Sequence, residues 1–248
     1  MLVLASVFLL AGHARADIIE AIAKVKSSIV VVGTYKATNS PRFNLRGTGF
    51  AVGDGNLIVT NAHVLPAPSD EALPPDLVIQ VKRSPTEFQM RVATVVEVDK
   101  LHDLALLRVG GTALPALALR DSDQVREGQS IALMGFPIGG VLGFSPVTHR
   151  GMISSITPVA LPTPTAQQLN EQVVRRIREG TFDIFQLDAT AYPGNSGGPL
   201  FDAETGEVLG VVNMVFIKGG RESALTHPSG ISYAIPANFV TQMLQRRK

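Results

Sequence analysis

The residues that could do chemistry converge on one stretch, Gly194-Asn195-Ser196-Gly197-Gly198-Pro199-Leu200. A serine surrounded by glycines is what a backbone needs to turn two amide hydrogens toward one developing oxyanion. An unactivated serine hydroxyl attacks poorly, so a nucleophilic reading of Ser196 requires a base and a group that orients the base. Both residue types are in place. Thr60-Asn61-Ala62-His63-Val64 ends an apolar run with a histidine, and His102-Asp103-Leu104-Ala105-Leu106-Leu107 opens another with an aspartate. In that chemistry Ser196 attacks a carbonyl, His63 takes its proton and returns it to the leaving group, and Asp103 orients the His63 ring. The backbone amides of Gly194 and Ser196 would hold the oxyanion. Taken singly, each residue has a plain structural explanation: a satisfied core histidine, a turn-capping aspartate, a glycine turn. Jointly, and in the order His, Asp, Ser, they match a nucleophile, base and orienting acid.

Gly-x-Ser-x-Gly also describes the nucleophile elbow of α/β-hydrolases, which needs a strand, a sharp turn and a helix, with the acid and histidine following the serine. Here Pro199-Leu200-Phe201 reads as a strand, too few residues remain to complete such a sheet, and His227 is the sole histidine after Ser196. The segments Thr60–Val64, His102–Leu107 and Gly194–Leu200 together, in a chain without cysteine, resemble the protease domain of the HtrA/Deg family of trypsin-like serine proteases. The resemblance covers roughly residues 28–240 and implies the two-barrel, chymotrypsin-type scaffold, on which the triad has this order.

The elements that must position these residues are short. Asp17 can cap a helix whose apolar positions Ile18, Ile19, Ile22 and Val25 share a face. Runs rich in Val, Ile, Leu and Thr follow at about 28–34, 47–52, 57–61, 77–82, 90–98 and 104–109, and again at about 130–135, 147–156, 184–188, 199–202, 207–216 and 230–235, separated by Gly, Pro, Asn and Asp clusters. Six strands and six strands predict an all-β fold of two barrels, about 28–116 and 126–236, joined through Leu117–Gly128, with the site in the cleft between them. A short C-terminal helix follows from Pro236 to Leu244. Residues 17–248 read as one protease domain, without the PDZ domain that family members commonly carry after this helix. Between the strands near 156 and 184, Leu169, Val173 and Ile177 mark a narrow stripe on a polar helix over 165–179. It reads either as a solvated surface helix or as a regulatory or assembly element.

The bulk properties narrow the partners. A net charge of +1 with 17% charged residues leaves no electrostatic footprint for nucleic acid or an anionic membrane. The absence of cysteine removes disulfides and thiolate chemistry, and no HExxH motif suggests a metal, so neither a metal nor a cofactor is expected. Leu2 to Ala11 is apolar at nine of ten positions and Ala14-Arg15-Ala16 fits a small-residue cleavage site. Residues 1–16 therefore read as a signal peptide, although no Lys or Arg precedes the run, and a buried helix is the alternative. The run is shorter than the ~20 residues of a membrane span.

What the resemblance adds concerns substrate. Trypsin-like enzymes place the aspartate that selects Lys or Arg six residues before the serine, and that position is Thr190 here. Glutamate-specific relatives carry a hydroxyl there too, but add a histidine in the strand beyond the serine, and Gly210 to Ile217 contains none. With Ala191, Tyr192, Asn213, Met214 and Val215, Thr190 would form a largely apolar lining suited to small or medium aliphatic side chains. The implied protein is an exported, periplasmic or secreted serine endopeptidase acting on unfolded or flexible polypeptides in protein quality control. Family members often form trimers through N-terminal contacts, so a homotrimer is the assembly the resemblance points to. A chaperone-like binder with little proteolysis, or an esterase using the same triad, are the alternatives.

Overall fold

Twelve strands form among the residues that the computed structural model describes, which are 17–68, 73–84, 87–137, 144–158, 182–213 and 231–247. The first six are β1 (Ile29–Tyr35), β2 (Phe43–Val52), β3 (Leu57–Asn61), β4 (Asp76–Lys82), β5 (Phe88–Asp99) and β6 (Leu104–Val109). They close into an antiparallel barrel in the order β1-β2-β3-β6-β5-β4. The second six are β7 (Ser130–Gly135), β8 (Val147–Pro158), β9 (Asp183–Asp188), β10 (Pro199–Asp202), β11 (Val208–Asn213) and β12 (Ile231–Pro236). They close in the order β10-β11-β12-β9-β8-β7. Closure leaves neither sheet with a free edge. This is the all-β, two-barrel architecture expected of a trypsin-like chain. The signal-peptide segment 1–16 and the 165–179 helix expected from the sequence lie outside the described residues.

Several strands are buried along their whole length instead of on alternate residues. In β3 and β11 every residue is buried, and in β6 all but Arg108. The reason is that each has two apolar neighbours. One face fills its own barrel, as Val30, Val32, Ile58, Ile79 and Leu107 do in the first and Ile131, Leu133, Ile153, Phe185 and Val212 in the second. The other face joins a shared core between the barrels, where Phe50, Val59, Leu104 and Leu106 meet Met134, Phe136 and Val211. Each fully buried side chain of this kind stabilises by at most about 1.5–3 kcal/mol, so the docking core is comparable in kind to the barrel interiors.

Two helices seal this junction. Helix α1 (Ile18–Lys26) starts where Asp17 accepts a hydrogen bond from the Ile19 N–H at 3.2 Å, and it carries Glu20 in its first turn and Lys24 and Lys26 in its last, as the helix dipole favours. Helix α2 (Ala237–Gln245) follows Pro236, whose ring suits a helix entry. Ala21 and Val25 from α1 and Val240 and Met243 from α2 complete the shared core. The inter-barrel connection is strapped to both sides, with the Leu117 N–H donating to Ala51 O at 2.9 Å and the Arg120 N–H to Val208 O at 2.9 Å.

Candidate active site

Strand pairing brings His63 and Asp103 together. In the β3–β6 ladder Asn61 faces Leu104, so the residues just past the end of β3 and just before the start of β6 must be neighbours. The chain turns after Asn61 through a 3-10 turn at Ala62–Val64, which carries His63. Asp103 adopts φ +52°, a left-handed conformation that aspartate tolerates better than bulkier residues. It is held there by its own carbonyl, which accepts from Asn61 Nδ2 and from the Ala62 N–H, both at 3.0 Å. Asp103 Oδ1 accepts the His63 backbone N–H at 2.9 Å. Asp103 Oδ2 accepts His63 Nδ1 at 2.6 Å and Asn213 Nδ2 at 2.7 Å. A carboxylate against Nδ1 fixes the proton on that nitrogen and leaves Nε2 as the basic atom.

Ser196 comes from the other barrel, on a pair of consecutive turns between β9 and β10. The first is closed by the Asn195 N–H donating to Tyr192 O at 2.9 Å, with Pro193 second and Gly194 third at φ +103°. The second is closed by the Gly198 N–H donating to Asn195 O at 2.9 Å, with Gly197 third at φ +83°. Both have the pattern of a type II turn, which demands positive φ at its third residue. Space also enforces glycine: a Cβ on Gly194 would collide with Phe136 O, and one on Gly197 with Thr48 O and Thr60 Oγ1. The consequence is a set of backbone donors divided in two. The N–H groups of Asn195, Gly197 and Gly198 are spent on carbonyls, while those of Gly194 and Ser196 donate to nothing among the described residues.

Thr48 of β2, wholly buried, stitches this loop to the first barrel. Its N–H donates to Ser196 O at 2.8 Å, and its hydroxyl donates to Gly194 O at 2.7 Å while accepting the Phe136 N–H at 3.1 Å. Its carbonyl accepts Thr60 Oγ1 at 2.7 Å. Gly47 fits between Ser196 O and the Val64 side chain, so the serine loop lies against the turn that bears His63. Ser196 is 5% exposed, and the His63 and Asp103 side chains 23% and 19%. Ser196 Oγ and His63 Nε2 make no hydrogen bond, to each other or elsewhere, among the described residues. Such contacts commonly tighten only when substrate fills the site. Beside Ser196 the fully buried Asn195 side chain has no partner among the described residues for either Nδ2 or Oδ1, each unmade bond costing about 1–3 kcal/mol.

The other residues read from the sequence are distributed as follows. Ala191 is buried, its N–H donating to Ser232 Oγ at 3.0 Å, and Thr190 and Tyr192 flank it half-buried. Asn213 is completely buried and its amide donates to Asp103 Oδ2. Met214 and Val215 lie outside the described residues. His149 stands 5.7 Å from the Tyr192 ring, and burial holds its pKa below the usual histidine range. His102, which reads from sequence as a surface neighbour of Asp103, is half-buried instead. Its Nδ1 meets Asp99 Oδ2 at 2.7 Å, and its ring stacks on Phe239 of α2 at 3.7 Å. Burial would raise the Asp99 pKa, but the His102 ring and N–H and the nearby Arg246 outweigh it and lower the carboxyl below its usual value. Asn213 and Thr48 were not identified as supports by sequence reasoning. An asparagine inside Val211-Val212-Asn213 could have been found, since a polar side chain in a core strand must have a partner. A threonine in a strand carries no such signal.

Two closed six-stranded barrels, with the histidine and aspartate at the strand ends of one and a glycine-flanked serine on the other, define the class of trypsin-like peptidases. The chain belongs to that family: the trypsin-like peptidase domain model matches residues 47–211. It is similar to the mitochondrial serine protease HTRA2 of Drosophila persimilis, 32% identical over 200 residues that make up 81% of this chain and 38% of that protein. It is also similar to a probable periplasmic serine endoprotease, DegP-like, of Halomonas elongata, 33% identical over 190 residues, 77% of this chain and 32% of that one. Among solved structures, the HtrA-type protease AlgW with a tripeptide superimposes with a TM-score of 0.66 at 25% identity, over 92% of this chain and 62% of that one. The chain thus spans well under half the length of these two curated relatives.

Proposed function

We propose that this chain is a serine endopeptidase in which Ser196 is the nucleophile, His63 the general base and acid, and Asp103 the group that orients His63. The observation that carries the reading is the division of labour around Ser196: its own N–H and that of Gly194 are left without acceptors among the described residues, while the neighbouring amides are spent. Ser196 Oγ attacks the peptide carbonyl as His63 Nε2 takes its proton, and Asp103 stabilises the imidazolium that forms. The carbonyl oxygen, now anionic, is received by the two free N–H groups, each such donor contributing about 3 kcal/mol. Collapse expels the amine, which takes its proton from His63, and water releases the acyl group by the same steps in reverse. The Asn213 and His63 backbone bonds keep the Asp103 carboxylate from turning during this cycle.

Substrate and setting follow the relatives. Flexible or unfolded polypeptide is the substrate class, outside the cytoplasm, with residues 1–16 as the export signal, 17–248 as the protease domain, and a homotrimer as its assembly. Among the described residues no helix is long and apolar enough to cross a membrane. With Thr190 where a charge would select a basic side chain, the pocket favours Val, Ala, Leu or Ile before the cleaved bond, since burying a substrate charge there without a partner would be costly. One experiment tests the proposal: fluorophosphonate labelling of wild type and Ser196→Ala, with mass-spectrometric mapping of cuts in a denatured protein. Labelling and cutting after aliphatic residues are both expected to vanish in the folded variant, a loss of about 10⁴–10⁶ in turnover. Retained cleavage by Ser196→Ala refutes the nucleophile, and dominant cleavage after Lys, Arg or Glu refutes the pocket.

A further inference from the structure

The mouth of the first barrel brings two guanidinium groups onto one amide oxygen, with Glu87 opposite Arg83, its backbone carbonyl accepting the Arg83 N–H at 2.9 Å. Strands β4 and β5 form an antiparallel pair in which Val81 faces Gln89 and Ile79 faces Arg91. Side chains alternate along a strand. Arg83 therefore continues the inward row of Ile79 and Val81, and Gln89 and Arg91 continue the inward row that reaches Ala93, with all three apolar residues in the first barrel's core. Arg91 is only 8% exposed. Its Nη1 donates to Gly110 O at 3.2 Å and Thr112 O at 2.7 Å, both in the loop after β6. Its Nε and Nη2 donate to Gln89 Oε1 at 3.2 and 3.1 Å. Arg83 turns the same edge onto the same atom, with Nε at 3.0 Å and Nη2 at 2.6 Å. Neither guanidinium has a carboxylate within ion-pair distance among the described residues.

This arrangement is electrostatically incomplete. Buried charges are ordinarily paired. Here two like charges face each other, and both burial and the charge of Arg83 disfavour the charged form of Arg91. An amide oxygen offers two lone pairs, yet Gln89 Oε1 receives four N–H groups. The Nε–Nη2 edge of a guanidinium matches two oxygens of a carboxylate or phosphate, and such charge-assisted bonds are roughly twice as strong as those to a neutral acceptor. Gln89 is exposed, so its amide can leave the position without disturbing the core.

We propose that the space between Arg83 and Arg91 binds a small oxyanion, a phosphate or a carboxylate group, in place of the Gln89 amide oxygen. The site lies on β4 and β5, away from the strand ends that carry His63 and Asp103, and stands whether or not the peptidase reading does. The test is thermal unfolding of the full chain in sodium phosphate, sodium acetate and sodium chloride at equal ionic strength. It is run on wild type, Arg83→Gln and Gln89→Glu. At about a hundredfold excess over its Kd, a bound anion raises the Tm by about 5–10 °C beyond chloride. The increment is expected in wild type and absent from both variants, because Arg83→Gln removes one claw and Gln89→Glu supplies a carboxylate in place. Arg83 and Gln89 are exposed, so both variants fold. An increment from phosphate alone assigns a phosphate site, and one from acetate a carboxylate site. No increment in wild type, or one that persists in either variant, overturns the proposal.

Discussion

Replacing Thr48 by valine changes one atom at the point where the barrels are stitched across the active-site cleft. The shape is kept and the hydroxyl is lost, which strips Gly194 O of the donor at 2.7 Å and the Phe136 N–H of its acceptor at 3.1 Å. Both groups meet a hydroxyl that is itself remote from water, since Thr48 is wholly buried, and each buried unmade bond costs about 1–3 kcal/mol, or about 2–6 kcal/mol together. That is a large share of the ~5–15 kcal/mol that holds such a chain folded, yet the variant stays folded over most of this range. The bond from the Thr48 N–H to Ser196 O survives, so one end of the serine loop remains fixed while the Gly194 end is released. If release misaligns one of the two free N–H groups, about 3 kcal/mol of oxyanion stabilisation is lost, equivalent to about 10²-fold in kcat with KM little changed. The assay is urea unfolding beside steady-state peptide hydrolysis, with concentrations corrected for the folded fraction. Thr48→Ser is the control: it keeps the oxygen, and its missing methyl costs about 1 kcal/mol without affecting kcat. Wild-type kcat in Thr48→Val, or equal impairment of Thr48→Ser and Thr48→Val, refutes the argument.

Two further outcomes follow from the hydrogen bonds. Asn213→Ala removes a bond to a charged oxygen, worth about 1.5–3 kcal/mol, so kcat/KM in peptide hydrolysis should fall by about 10–100-fold with Ser196 still labelled slowly by fluorophosphonate; a change under about twofold would remove Asn213 from the mechanism. Asp202 accepts from Arg120, Gln129 and the Glu204 and Thr205 N–H groups, and although burial alone would raise its pKa, the Thr205 N–H, Gln129, the Glu204 N–H and Arg120 together hold it below the usual 3.8. A depressed carboxyl pKa stabilises the fold above the unfolded value and loses that contribution as pH falls through the folded one. Asp202→Asn should therefore be less stable than wild type near neutrality by about 1–3 kcal/mol, and the gap should close below the usual carboxylate pKa, as read by urea unfolding across that range.

The barrels were legible because their strands are short, Val- and Ile-rich and punctuated by turn residues, and the observed β3, β6, β7 and β10 begin and end where the residue patterns put them. The strand reading survived even where alternation failed. β11 is buried on both faces, and its composition and flanking turns marked it, since period-two alternation could not. The chemistry-bearing residues were legible because their types are unusual at those places. Less visible were the contacts that exist only once the two barrels dock. Thr48 reaches residues almost 150 positions away, and nothing local distinguishes it from any strand threonine. The left-handed backbone of Asp103 has no composition signal, because aspartate before a strand is ordinary. His102 reads as exposed on its own strand end, and the packing of Phe239 from α2 and of Phe182 against that loop explains why it is half-buried.

The chain order of the site sets a clock on its own synthesis. His63 and Asp103 leave the ribosome with the first barrel, while Ser196, Gly194 and Asn213 come more than 90 residues after Asp103. At ~5–20 residues per second the histidine and aspartate precede Ser196 by on the order of 5–20 seconds. During that interval the first barrel can fold and close its sheet while the chain of the second is still emerging beside it. When Ser196 arrives it sits on turns whose carbonyls bond Thr48, with β10, β11 and β12 still to follow, so its loop settles against a first barrel whose strands all precede it.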